Sequence, residues 1–122
     1  RFYFLGERND VHKLMSAVDI FCLSSAWGEG FPNVLGEAMA TSIPCVATDT
    51  GDSSLVVNKT GIIVPPCDVN ALEEGIESLL TMSSEDRISL GRSALERIEM
   101  NYKLSKIVEK YVSLYNELAK IS

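Results

Sequence analysis

The sequence predicts an α/β domain: three layers built on a parallel sheet, followed at the C-terminal end by helices alone. Three observations carry this. Short apolar runs at Phe2 to Leu5, Ile20 to Leu23, the stretch ending at Ala47, and Ile62 to Val64 are separated by segments of helical period or by turns. Strands apolar on both faces belong to parallel sheets, where right-handed crossovers through helices join them. From Asp68 onward the apolar residues recur at helical spacing, and the strand signal does not return.

Each element has its own local signal. The first strand, Phe2 to Leu5, is followed by the polar loop Gly6-Glu7-Arg8-Asn9-Asp10, with Asp10 as the N-cap of a short helix. Leu14, Met15 and Val18 form that helix's apolar side, and Asp19 introduces the strand Ile20 to Leu23. A second helix, Val34 to Thr41, opens at Asn33 as N-cap and is stopped by Pro44. After Ala47 a loop leads into Leu55-Val56-Val57, which reads equally as a strand or a single helical turn. Asn58 to Gly61 is a turn, Ile62 to Val64 a buried strand, and Pro65-Pro66 its end. Asp68 caps a helix with the stripe Leu72, Ile76, Leu79 and Leu80. Ser83 and Asp86 form a capping pattern for the next, with Ile88, Gly91, Leu95 and Ile98 on one side. The last helix, Ser105 to Lys120, carries Ile107, Val108, Tyr111, Tyr115 and Leu118 on one stripe.

Composition narrows the function classes. With 122 residues, 46% of them hydrophobic, the chain has enough material for one domain with a real core. A net charge of -6 argues against nucleic acid or an acidic membrane surface as the main partner. The basic residues from Arg87 to Lys110 alternate with acids at helical spacing and read as a solvated face. Cys22, Cys45 and Cys67 form no C-x-x-C pair and read as reduced, buried thiols. His12, the single histidine, reads as a surface residue. No signal peptide or apolar run of spanning length is present, so membrane contact is expected to be peripheral or made by other sequence. No metal site is expected: Asp49 and Asp52 stand three apart without an accompanying His or Cys cluster.

The chemistry concentrates between Ser24 and Gly51. A buried strand ends in small polar residues, a glycine-rich loop follows, and a helix opens beyond it. Glu29 lies in the loop and Glu37 one turn into the helix, and the Gly30-Phe31-Pro32 break turns the chain between them, so both carboxylates can point into one crevice. Between them the first helical amides, at Val34, Leu35 and Gly36, favour an anion through direct bonds and the helix dipole. An anion flanked by carboxylates suggests a sugar phosphate, whose hydroxyls need acceptors beside its charge.

At these residues the chain resembles the C-terminal, nucleotide-sugar-binding domain of the family 4 retaining glycosyltransferases, the "group 1" family of the GT-B fold. The resemblance rests on F-L-G at the start, E-x7-E with E-G-F-P inside it, E-A-M-A after it, P-C-V-A-T-D-T-G and T-G-I-I-V-P-P, all in order and covering nearly the whole chain. The variant G-E-G-F-P-N-V-L-G-E-A-M-A with T-G-D-S-S behind it is similar to enzymes that build bacterial surface polysaccharides. The resemblance implies a Rossmann-like fold and a cytoplasmic protein, or one at the inner face of the cytoplasmic membrane. It implies no cofactor beyond the substrate, a UDP- or GDP-sugar, whose sugar passes to a hydroxyl of a glycan or glycolipid acceptor with retention. The leaving diphosphate would be stabilised by helix-end amides and basic side chains instead of a metal.

Residue roles come by the same resemblance, each beside a plainer alternative. Glu37 would accept the nucleotide ribose hydroxyls, or merely offset the helix dipole. Glu29, the one residue here with a catalytic role, would hold a hydroxyl of the transferred sugar, or be a solvated loop acid. Gly30, Phe31, Pro32, Asn33 and Val34 would line the sugar and diphosphate largely through backbone amides; Gly30 otherwise reads as a turn glycine and Phe31 as core. The loop from Gly6 to Arg8 would read the nucleobase edge, with Arg8 otherwise a solvated charge. Trp27 would stack on a ligand or sit at the rim or in the core.

The chain departs from the family in one respect. Such a domain has six strands in the order 3-2-1-4-5-6, and this sequence starts at what would be the third. Missing with the first two are the basic residues that grip the diphosphate, any catalytic histidine and the acceptor-binding N-terminal domain, so these 122 residues are expected to be a single partial domain, inactive alone. Kept in its family position, the strand Phe2 to Leu5 would lie about three strand spacings, ~14 Å, from its neighbour. It is therefore expected to slide beside Ile20 to Leu23 or to pair with a second copy, making a homo-oligomer. In the family the final helix reaches back to the N-terminal domain, leaving part of its stripe exposed here or packed on another chain. Two rival functions remain: a non-catalytic nucleotide-binding or interaction module, and a GT-B-like nucleotide-sugar epimerase.

Overall fold

A computed structural model describes residues 1–121. Its sheet has three parallel strands, β1 (Phe21–Leu23), β2 (Cys45–Thr48) and β3 (Ile62–Val64), in that spatial order. Cys22 stands opposite Val46, and Ala47 opposite Ile63. This consecutive order is what strands four to six of the six-stranded arrangement would give. The crossovers are α2 (Asn33–Ala40) between β1 and β2, and α3 (Ser53–Val57) between β2 and β3. Before β1 lies the short α1 (Val11–Met15), and after β3 come α4 (Val69–Thr81), α5 (Ser84–Asn101) and α6 (Leu104–Ile121).

The alternation of side chains along β2 creates the layers. Cys45 and Ala47 face one cluster, where Leu35, Ala38 and Met39 of α2 meet Val56 and Val57 of α3 and Ala94 of α5. Val46 faces the other, packed with Val64, Leu79 of α4 and the partly buried Leu72 and Ile76. Every residue of β2 is buried, as a strand covered on both faces must be. Burial pushes the Cys45 thiol up to about 12. The predicted caps form: Asp68 accepts the Ala71 amide at 2.9 Å and Ser83 the Asp86 amide at 3.1 Å. The ambiguous Leu55-Val56-Val57 run is helical, inside α3.

Helix α5 crosses the turn between α2 and β2 at close range. A Cβ on Gly91 would run into the carbonyl oxygen of Ser42 and lie 3.4 Å from Pro44 Cδ. Glycine there lets the helix backbone touch the turn. Beyond it α6 keeps its predicted stripe, with Ile107 half-buried and Val108, Tyr111, Tyr115 and Leu118 exposed. Among the described residues no helix is long and apolar enough to cross a membrane.

Four expectations need correction. Phe2 to Leu5 is not a strand and pairs neither with β1 nor with any other strand; Phe2 is 96% and Phe4 97% exposed. With no neighbour at hydrogen-bonding distance, a lone strand gains nothing over backbone bonded to water. Cys22 and Cys67 are exposed, so buried thiols are limited to Cys45; Cys22 lies on β1, an edge of the sheet. The basic residues after Arg87 are not uniformly a solvated face, because Arg87 and Arg97 are half-buried with guanidinium groups on backbone carbonyls. Finally, Asn33 is the first residue of α2 and Pro32 occupies its cap.

Candidate functional site

The loop from Ser24 to Pro32 leaves the carboxyl end of β1, the end of a parallel sheet at which ligands bind. Polar contacts from β2 hold it. Thr48, at the end of β2 and 4% exposed, donates its hydroxyl to the Ser25 carbonyl at 2.6 Å. Ser25 in turn donates its own hydroxyl to Glu29 Oε1 at 2.6 Å. The glutamate is thus oriented by a relay that begins in the sheet, and it remains half-buried.

The loop after β2 braces the same segment. Gly51 adopts a φ of +53°, in the left-handed region, and a Cβ there would collide with the carbonyl oxygens of Glu29 and Gly30 and stand 2.7 Å from the Glu29 carbonyl carbon. Next to it, the Asp52 amide donates to the Gly30 carbonyl at 3.0 Å. Only glycine permits this approach, so Gly51 fixes where Glu29 and Gly30 sit. On the other side the Phe31 ring lies 5.4 Å from the Tyr102 ring, centroid to centroid.

Helix α2 starts differently from the expectation. The buried Pro32 directs its carbonyl into the first turn, where it accepts the Leu35 amide at 3.0 Å and the Gly36 amide at 3.2 Å. Two of the three expected donors are therefore used by the helix itself. The amides of Asn33 and Val34 are the ones left without a partner among the described residues, as the first turn of any helix requires of its leading N–H groups. Pro32 contributes through its carbonyl and fixed φ, since its ring is enclosed.

Glu37 projects from α2 into solvent while Leu35, Ala38 and Met39 of the same helix are fully buried. Neither Glu29 nor Glu37 has a cationic partner among the described residues. Along the chain, two carboxylates without a cationic partner thus stand before and after a pair of amides without an acceptor: the carboxylates can accept hydroxyl protons, and the amides can donate to an anion's oxygens. Trp27, 81% exposed, stands in the same loop.

Arg8 is placed otherwise. Its guanidinium grips Asp10 through two bonds, Nε to Oδ1 at 2.8 Å and Nη2 to Oδ2 at 2.7 Å. The pair holds the Asp10 carboxyl below its ordinary range. It also explains why Asp10, though at the cap position of α1, makes no side-chain cap bond. A separate cavity of about 350 Å³, lined among others by Met15, Asp19, Ser42 and Arg87, lies by chain position at the amino ends of β1 and β2, away from the carboxylate loop.

The residues missed by sequence reasoning are those that hold the loop: Ser25, Thr48, Gly51, Arg97 and Tyr102. Gly51 carried a signal, since a T-G pair after a strand marks a turn that favours a positive φ. The partners of Thr48 and Tyr102 carried none, because those contacts span 23 and 47 residues of chain.

Residues 1–82 match the family described as "Glycosyl transferases group 1". The chain is 28% identical over 121 residues to the Escherichia coli UDP-Gal:alpha-D-GlcNAc-diphosphoundecaprenol alpha-1,3-galactosyltransferase, covering 97% of this chain and 30% of that protein. It is 38% identical over 96 residues to the capsular polysaccharide biosynthesis glycosyltransferase CapM of Staphylococcus aureus, covering 77% and 25%. Among solved structures, Anabaena HepE in complex with UDP-glucose superposes with a TM-score of 0.81 at 23% identity, over 93% of this chain and 32% of that one. The fold is accordingly that of a GT-B Rossmann-like domain. The chain spans a quarter to a third of the length of these relatives. Sequence and fold together make this chain a member of the group 1 glycosyltransferases.

Proposed function

We propose that this chain is the donor-binding part of a glycosyltransferase that moves a sugar from a nucleoside diphosphate to an acceptor hydroxyl with retention. What supports the reading is the succession along one segment of Glu29, the open amides of Asn33 and Val34, and Glu37, in a chain of this family. In this reading Glu37 accepts the ribose hydroxyls and Glu29, oriented by Ser25, accepts a hydroxyl of the transferred sugar. The two amides and the helix dipole meet the diphosphate. Arg8, tied to Asp10, meets the base by its loop's backbone and not by its charge. The relatives are named for transfer of sugars into bacterial polysaccharides and lipid-linked glycans, and a neighbour of the same fold holds UDP-glucose; both support the donor class.

The acceptor, a glycan or glycolipid, meets the donor through the remaining two-thirds of such an enzyme, so these residues alone bind donor without transferring it. Full-length protein incubated with labelled UDP- or GDP-sugar and a lipid-linked acceptor is expected to give glycosylated acceptor. Free sugar or an epimer in its place, with no glycosylated acceptor, would sink the transferase reading in favour of an epimerase-like activity.

A further inference from the structure

Tyr102 meets the Glu29 loop at Phe31, and Arg97 meets Tyr102 and α3, from a part of the chain that shares no motif with that loop. Arg97 of α5 donates from Nε to the Val56 carbonyl at 2.7 Å and from Nη2 to the Leu55 carbonyl at 2.6 Å. These carbonyls belong to the last turn of α3, which has no further intrahelical donors and carries partial negative charge. Tyr102, the residue that caps α5, adds its hydroxyl to the Leu55 carbonyl at 3.3 Å and lies under the Arg97 guanidinium, 6.0 Å from ring centroid to Cζ. Its ring also meets that of Phe31, tilted by 56°.

Helix α3 is therefore held at both ends. Its C-terminal carbonyls are bound by α5, and its N-cap residue Asp52 donates to Gly30. Phe31, next to Gly30, is bound by the same Tyr102. The loop segment Glu29-Gly30-Phe31 is closed between two contacts that both lead back to the end of α5. Glu37 makes none of these polar contacts; its helix α2 is fixed by Leu35, Ala38 and Met39, buried in a cluster shared with β2, α3 and Ala94 of α5.

From this geometry we propose that Arg97 and Tyr102 are positioning residues for Glu29, acting through Phe31 and α3, and that they set affinity for the sugar half of the donor and not for the nucleotide half. The proposal rests on the donor-site reading given above. Its signature is a ratio: the affinity for a nucleotide sugar divided by that for the matching nucleoside diphosphate. A loss of folded protein lowers the binding stoichiometry of both ligands alike and leaves that ratio unchanged.

The test is calorimetric titration of the full-length protein with UDP and UDP-glucose, UDP-galactose, and GDP with GDP-mannose, using the pair for which the unmodified protein shows the largest ratio. Tyr102→Leu and Arg97→Met are each expected to lower that ratio about fivefold, the equivalent of one hydrogen bond of ordinary strength, with nucleotide affinity retained. Tyr102→Phe, which keeps the ring against Phe31 and loses one long hydrogen bond, is expected to keep most of it. Should Tyr102→Leu not yield folded protein, Arg97→Met decides the matter alone. A ratio unchanged in the folded variants overturns the proposal and leaves the donor-site reading intact. Failure of the unmodified protein to bind any of these nucleotides overturns both.

Discussion

Glu29 and Glu37, which the proposed reading puts in one site, are held in place by different physics. Glu37 rides on a regular helix whose underside is core: Leu35, Ala38 and Met39 are fully buried against β2 and α3. Glu29 sits in an irregular loop held by a few directional contacts, from Ser25, Thr48, Asp52 and the close approach of Gly51. Hydrophobic support is broad and non-directional, so it tolerates local change at a cost in stability. Hydrogen-bonded support is narrow, so it can fail locally without unfolding the domain. The carboxylate proposed for the ribose thus rests on the core, and the one proposed for the sugar on a part of the chain that can shift locally.

Substitutions at the supports should separate the two. Leu35→Ala, which empties a fully enclosed position under α2, is expected to cost about 2–5 kcal/mol in denaturant unfolding while leaving the sugar-to-nucleotide affinity ratio of the remaining folded protein unchanged. Gly51→Ala should cost about 2–3 kcal/mol, because the new methyl meets backbone oxygens at a position with a positive φ. Its larger effect should be on the ratio, measured by calorimetry, since the new methyl displaces the Glu29 and Gly30 backbone. Thr48→Val removes the hydroxyl that fixes Ser25 and should cost about 1–2 kcal/mol, again with the ratio lowered.

The smallest effect belongs to Ser53. Its hydroxyl and that of Thr50 are buried and make no hydrogen bond among the described residues, although both flank the segment that braces the loop. Ser53→Ala is expected to change stability by no more than about 0.5 kcal/mol, or to raise it, because an unpaired buried hydroxyl contributes no bond to lose. A loss above about 1 kcal/mol in chemical denaturation would mean that the hydroxyl has a partner and takes part in holding Glu29.

The same contrast explains what was legible in the sequence. Local rules found the parts fixed by local energy: the Asp68 and Ser83 caps, the strand at β3, which as an edge is half-buried at Ile62 and Ile63 where a buried strand was expected, and the apolar undersides of α2 and α4. The two glutamates and the glycine-rich break were legible as a pattern of residue types around a helix start. The start itself was misread by one position, because Asn33 is a good cap on propensity while Pro32, buried and with its carbonyl turned into the helix, takes the place. Phe2 to Leu5 reads as a strand on composition, yet a strand exists only beside another, and no periodicity reveals whether the neighbour is present. Arg97 reads as one of several charges on a helix; its half-buried place on the carbonyls of α3 is a tertiary fact, set by contacts 41 and 42 residues away in the chain.

In the proposed reading, Glu37 and the open tip of α2 hold a nucleoside diphosphate. The most direct test of that reading is calorimetric titration of the protein with UDP, GDP and ADP, repeated on Glu37→Ala. One of the three is expected to bind, and Glu37→Ala to weaken that binding about tenfold or more, through the loss of hydrogen bonds to a charged acceptor. Binding of none of the three, or equal affinity in the two proteins, would contradict it.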